Sequence, residues 1–192
     1  MIRILVPLLL LLTAPFRVEG EPRSYTVVPG KSRVMFEASH PLGDFSGATE
    51  EVTGQLRLDP ADVSLGVTGS VSANPGRLKT GNDGRDRDLR KTLDADRHGE
   101  IRFAADQVKS SFPSLAEHAD VTLRISGTLS IRGVERPTTW TGRARLEGDR
   151  IWVRGETELR LTDFGITPPK KYFLAVRDGA RASFDLRLAP AE

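Results

Sequence analysis

Val121-Thr122-Leu123-Arg124-Ile125-Ser126-Gly127-Thr128-Leu129-Ser130-Ile131-Arg132 places apolar or small residues at every odd position and Thr, Arg or Ser at every even one. A side-chain period of two belongs to a strand with one buried and one wet face, because a helix would repeat at about 3.6. The same alternation runs through Val63 to Ala73 and Ile151 to Leu161, giving three long strands. Shorter versions occur at Val34 to Ala38, Val52 to Leu58, Ile101 to Ala105, Trp140 to Leu146 and Ala182 to Leu188. The reading is eight candidate strands.

Turn signals separate them. Asp59-Pro60-Ala61-Asp62, Gly133-Val134-Glu135-Arg136-Pro137 and Glu147-Gly148-Asp149-Arg150 each join two alternating runs as a hairpin loop does, so the strands are mostly antiparallel neighbours. Two stretches break the rhythm. Asn74 to Gly99 is polar and rich in Arg and Asp, with a short helix predicted over Asp83 to Thr92; Asp163 to Ala180, with Pro168-Pro169, reads as an extended loop followed by an edge segment. Strands do not alternate with long helical patterns, which disfavours a parallel sheet.

Antiparallel strands of this length are better closed than left with exposed edges, and closure at eight strands leaves an interior either filled by side chains or able to hold one small ligand. The fold class is therefore all-β, an eight-stranded antiparallel barrel with one short helix in its long connection. Four Trp plus Tyr residues cannot furnish the two aromatic girdles of an outer-membrane barrel. Opposite charges crowd the polar face, as in Arg154/Glu156/Glu158/Arg160, and are better solvated outside than inside. The apolar face is taken as the interior. Parity then nominates Phe36, Val67, Val71, Phe103, Leu123, Ile125, Leu129, Trp140, Leu159 and Phe184 as its wall. Small residues on the same face, among them Gly127, Gly142 and Gly155, either let the walls bend and approach or leave a lengthwise cavity.

Composition bounds the chemistry. The chain has 192 residues, no Cys, and 28 basic against 26 acidic residues. Lack of cysteine excludes disulfide frameworks, thiol nucleophiles and thiolate metal sites. A net charge of +2 offers no basic stripe for nucleic acid. Met1-Ile2-Arg3 followed by the apolar run Ile4 to Leu12 reads as a secretory signal peptide over residues 1–20, cut after Gly20, with residues 21–192 forming the domain. That run is too short to span a bilayer, which takes about 20 apolar residues. The expected compartment is the periplasm or the exterior, and the protein is not expected to be integral to a membrane.

Catalytic constellations are sparse. His40, His98 and His118 are too far apart for a local zinc pair, and no G-x-S-x-G elbow frames Ser39. The arginine-rich connection allows Asp83–Arg87 and Asp86–Arg90 pairs on a solvated helix, or a cationic rim in which Arg85 or Arg90 meets a ligand's polar head.

Several blocks, in order, resemble the YceI-like family. They are Tyr25 to His40; Thr80-Gly81-Asn82-Asp83-Gly84-Arg85-Asp86-Arg87-Asp88-Leu89-Arg90, similar to T-G-N-x-x-R-D-x-H-L; Ile101-Arg102-Phe103; Gly127 to Pro137, similar to G-x-L-x-I-x-G-V-x-x-P; and Asp163-Phe164-Gly165-Ile166. The resemblance implies an exported, extended lipocalin-like barrel holding an isoprenoid or other long amphiphile, without metal, cofactor or shared catalytic residue. Asp88 stands where the family has His, Thr92-Leu93 where an aromatic pair is usual, and Gly99 where a Pro precedes the next strand. The expected function is therefore non-enzymatic binding, transport or storage of such a lipid. Two alternatives stay open: an enzyme using Asp86, Asp88 or His98 in the 77–99 connection, and a filled barrel serving as a protein interaction module. Homodimerisation is also left open.

Overall fold

A computed structural model describes residues 21–115, 120–171 and 174–191; the expected signal peptide lies outside them. The elements are β1 (Arg23–Val27), β2 (Arg33–Ala38), β3 (Phe45–Thr49), β4 (Val52–Leu58), β5 (Thr68–Ala73), α1 (Asp83–Thr92), β6 (Ile101–Ser110), β7 (Val121–Ile131), β8 (Val134–Glu147), β9 (Arg150–Arg160), β10 (Lys170–Lys171), β11 (Leu174–Ala175) and β12 (Gly179–Pro190). The main sheet runs β1-β4-β5-β6-β7-β8-β9-β12-β2-β3, and β1 also pairs with β12, which closes the ring. On one edge β12 pairs with β9; on the other it pairs first with β2 and then with β1. β1 and β2 are thus two pieces of one wall strand, as are β3 and β4. The result is the expected eight-stranded antiparallel barrel with a short helix over residues 83–92.

The breaks have local causes. Pro29-Gly30 turns the first wall strand, with Gly30 at φ 65°, and the buried Ser32 stitches across the gap by donating to Arg187 O and accepting from Arg187 N. Arg132 and Gly133, at φ 53° and 73°, form a two-residue turn of the hand that twisted hairpins require. The hairpin loop expected over Gly133 to Pro137 is therefore shorter, and Pro137 stands within β8 opposite Thr128. Its fixed φ is compatible with extended backbone.

Two further expectations are corrected. The strand predicted over Val63 to Ala73 begins only at Thr68. Asp62 captures both Ser64 N and Ser64 Oγ, and Gly66 adopts φ 144°, so residues 59–67 form a loop that leaves Leu65 74% exposed. This loop is laced to a second by Val63 N to Pro113 O and Leu115 N to Pro60 O, and together they lid the barrel base. Within Asp163 to Ala180, expected as a loop followed by an edge segment, the short strands β10 and β11 pair with each other in a separate two-stranded sheet, and β12 begins at Gly179. Asp86, expected on a solvated helix face, is 2% exposed and bonded to Thr80 rather than paired with Arg90.

Apolar side chains gather into two clusters. One at the base centres on Val52, Val121, Ile151 and Leu188; the other, at the helix end, centres on Leu78, Leu129, Trp140, Phe164 and Ile166. Ile125 and Phe184 pack against both. The outer wall is polar. There Trp152 donates to Asp185 at 2.6 Å and is flanked by the guanidinium carbons of Arg145, Arg187 and Arg154 at 4.0, 4.8 and 4.9 Å from its ring centre.

Candidate functional site

The lumen is two chambers end to end. The base chamber has a volume of about 130 Å³ and the helix-end chamber about 190 Å³. They share Val34, Ala73, Ile101, Leu129 and Trp140 along their common boundary. Singly, each is smaller than the roughly 300–1,000 Å³ of a small-molecule pocket, so a long ligand needs both in continuity.

Every wall residue nominated by parity lines one chamber or the other. Val67, Val71, Phe103, Leu123, Ile125 and Phe184 face the base chamber; Phe36 and Leu159 face the helix end; Leu129 and Trp140 border both. Ser72 is the one polar residue on the base chamber's lining among the described residues, and its hydroxyl is engaged by Glu100. Polar side chains collect at the other end, where Arg85, Asp88, Thr92 and Arg181 join the lining.

The glycines serve close approach of the walls, as at Gly142 and Gly127, where a Cβ would lie 2.1 Å from Arg154 O and Ala104 O of the neighbouring strands, and three of them also make room for rings. A Cβ on Gly47 would lie 2.4 Å from the Phe36 ring, on Gly127 2.7 Å from Phe103, and on Gly155 2.8 Å from Phe184. Each glycine is the seat for an aromatic ring folded over the neighbouring strand. Phe103 and Phe184 then bracket Trp140, at centroid distances of 5.8 and 5.2 Å, and narrow the lumen at mid-depth. Trp140 is 5% exposed, and its Nε1–H is buried without an acceptor among the described residues. An unmade hydrogen bond of this kind costs about 1–3 kcal/mol.

The helix end is covered by two segments held by the same device. Thr80 donates from N (2.8 Å) and Oγ1 (2.7 Å) to Asp86 Oδ1, with Lys79 Nζ 3.7 Å from Oδ2. Thr162 donates from N (2.8 Å) and Oγ1 (2.7 Å) to the carboxylate of Asp178, beside Arg160. The first clasp anchors α1; the second joins Thr162 to Asp178, between which lie the lining residues Ile166 and Val176. Both carboxyls are held below their ordinary pKa, Asp86 by the Thr80 hydroxyl and then its amide, Asp178 by the Thr162 amide and then its hydroxyl.

The helix itself is conventionally terminated. Asn82 caps Arg85 N at 3.0 Å, acidic residues occupy the first turn, and Arg90 and Lys91 the last. Arg85 reaches the mouth, its guanidinium carbon 4.9 Å from the Phe45 ring centre. Arg90 does not line either chamber, so of the two head-group candidates only Arg85 is at the lumen. The residues of the enzyme alternative are not assembled. Asp86 and Asp88 are separated by about 200° around the helix. Asp86 is committed to Thr80, Asp88 lies at the mouth, and His98 sits 3.8 Å from Asp94. Phe45, Leu89 and Ile166 are lining residues that strand parity could not find, since they come from a missed strand, the helix and a loop. Leu89 was nonetheless within a motif block, one turn beyond Arg85.

An antiparallel barrel with an apolar lumen, roofed at one end by a helix, is the architecture of lipocalin-like binding proteins. The YceI-like domain model matches residues 25–188. A UPF0312 protein of Shewanella denitrificans is 31% identical over 140 residues, covering 69% of this chain and 70% of that one. The chain belongs to the YceI-like family. Among solved structures, Burkholderia cenocepacia BcnA superposes with a TM-score of 0.71 at 16% identity, over 84% of this chain and 98% of its own. A polyisoprenoid binding domain from Saccharophagus degradans, implicated in plant cell wall breakdown, gives 0.66 at 15% identity, over 88% and 99%. The Campylobacter jejuni YceI protein gives 0.60 at 15% identity, over 76% and 84%. Among the described residues no helix is long and apolar enough to cross a membrane.

Proposed function

We propose that this chain is a carrier or store for a polyisoprenoid or other long-chain amphiphile, working without catalysis outside the cytoplasm. The observation that carries the reading is the pair of adjoining chambers whose shared boundary is made of Val34, Ala73, Ile101, Leu129 and Trp140. Water in such a lumen finds few hydrogen-bond partners, whereas each methylene moved there from water gains about 0.8 kcal/mol. Ten buried carbons would supply roughly 8 kcal/mol before the costs of association. The mouth suits a polar end group, with Arg85 resting on Phe45 and available to an oxygen-bearing head. The polyisoprenoid binding domain of S. degradans supports the same ligand class by its shared fold. Export rests on residues 1–20 of the sequence, whose basic start and apolar run suit a cleaved leader.

Native mass spectrometry of the protein purified without detergent, with organic extraction of the same sample, tests the proposal. A defined mass increment that extracts as a prenyl or acyl compound is expected. A bare polypeptide mass that also takes up neither added polyprenyl nor acyl chains would overturn it. Sequencing the amino terminus of the periplasmic fraction checks the cut expected after Gly20.

A further inference from the structure

The outward face of the wall carries a groove of about 570 Å³, within the size range of a small-molecule site. It lies across the wall from the lumen. Arg33, Arg143 and Arg154 line it, and their chain neighbours Val34, Ala144 and Val153 line the base chamber. All three arginines are exposed. Strand register sets them in one row: Arg143 on β8 stands opposite Arg154 on β9, Arg154 opposite Asp185 on β12, and Asp185 opposite Arg33 on β2. Asp185 is already engaged, accepting from Trp152 Nε1 and from Arg187 Nη1 at 3.0 Å. Arginines nearby on the same strands have carboxylates of their own, Arg145 with Glu147 and Arg181 with Glu158. Arg33, Arg143 and Arg154 make no ion pair among the described residues. Like charges directly opposite on neighbouring strands are destabilising, so Arg143 beside Arg154 is a strain on the sheet that no carboxylate relieves. Arg154 is also held in place, its guanidinium carbon 4.9 Å from the Trp152 ring centre.

We propose that this groove binds a phosphate monoester, with the dianionic phosphoryl group seated between Arg143 and Arg154 and Arg33 as a further cation along the row. The site is on the opposite face from the lumen and does not depend on the carrier reading. Guanidinium forks match phosphoryl oxygens, and a dianion answers two adjacent cations where a monocarboxylate leaves one unanswered. The rest of the ligand is hydroxylated. A second row, Thr141, Glu156 and Ser183, runs beside the arginines; its carboxylate repels a phosphoryl group but accepts from hydroxyls. A free polyol phosphate and a phosphorylated lipid headgroup offer the same chemistry, and the test separates them.

The probes are glycerol 1-phosphate, with glycerol as its phosphate-free control, and phosphatidylcholine vesicles with and without phosphatidic acid. Binding to the processed protein is read by titration calorimetry for the solutes and by co-sedimentation for the vesicles, in about 0.15 M salt. Glycerol 1-phosphate is expected to bind where glycerol does not. Arg143→Gln should weaken it at least tenfold, the range of one hydrogen bond to a charged group. Arg102→Gln, on β6 outside the groove, should leave it unchanged. Arg33→Gln supplies the same comparison, with a smaller loss, if Arg143→Gln does not fold. Binding only to vesicles that contain phosphatidic acid, abolished by Arg143→Gln and not by Arg102→Gln, would assign the site to a lipid headgroup. Binding of neither probe would overturn the proposal. So would equal weakening by Arg143→Gln and Arg102→Gln, which marks diffuse attraction to the surface rather than a site.

Discussion

At its base the lumen is ringed by hydrogen-bonded strands and lidded by two laced loops, whereas at the helix end part of the wall is a connection, residues 74–100, carrying a ten-residue helix. The base draws its order from the sheet ladder and from side chains such as Val121 and Ile151 that are almost fully buried. The helix end is tied by scattered contacts, among them the isolated bridge of Ala48 to Lys79, two threonine–aspartate clasps, Arg177 N to Ser39 O and Arg132 Nη1 to Gly165 O. The difference teaches which part of the wall can open piecemeal. A continuous ladder opens only at the cost of many hydrogen bonds at once, whereas a roof held by a few side chains opens locally.

The largest effect expected from this comparison is on global stability. Ile151→Ala, at the base, should cost about 2–5 kcal/mol and lower Tm by roughly 5–20 °C, measured by thermal denaturation. Leu89→Ala, half-buried on α1, should cost about 1–2 kcal/mol. A larger loss from Leu89→Ala would reverse the ranking of the two ends. Next in size is a local effect. Asp86→Ala should accelerate hydrogen exchange severalfold across residues 79–93 while β7, β8 and β9 keep their protection. Uniform acceleration would show that the roof does not open on its own.

Acid should act on the same two clasps. The folded-state pKa values of Asp86 and Asp178 are depressed, so their stabilisation is present above the ordinary carboxyl value near 3.9 and lost as pH falls through the lower folded values. Hydrogen exchange measured between pH 6 and the acid limit of folding should loosen residues 79–93 and 161–178 before the base. Asp86→Asn with Asp178→Asn should flatten that dependence, and an unchanged acid response would rule these carboxyls out as its cause. The smallest effect belongs to the outer wall: Arg145→Ala removes one of three cations around Trp152 and should cost about 0.5–1 kcal/mol, read as a small fall in Tm. No change would mean that Arg154 and Arg187 hold the indole without it.

What could be read from the chain follows the same division. The base and the middle are built from alternating strands, and parity there assigns each side chain to a face, which is why Leu123, Ile125 and Phe184 are found in the lumen. The method errs at Val63 to Val67 because an alternating pattern survives in a loop: Val63 and Val67 turn inward, but Leu65 between them turns out. The helix end obeys other rules. Its lining comes from α1 and from the loop around Ile166, whose inward faces depend on tertiary clasps rather than on any local period. Sequence blocks marked these places without giving their reason. Thr80 and Asp86 turn out to be partners in one clasp, and Asp163-Phe164-Gly165-Ile166 a short 3₁₀ turn ended by Gly165 at φ 67° with Phe164 and Ile166 buried. The orphan donor of Trp140 is invisible in sequence, since the alternation treats tryptophan as one more apolar residue.

The closing role of β12 also has a consequence in time. It is the last wall strand to be synthesised, yet it is the partner of β1, β2 and β9 together. Ser32 waits for Arg187, 155 residues further along the chain, before the first wall strand can be stitched. Contacts so distant in sequence slow folding, and until they form the inward faces of the earlier strands remain open to solvent and to other chains. Neither chamber has a complete wall on a nascent chain. Anything that enters the lumen meets a finished barrel or none.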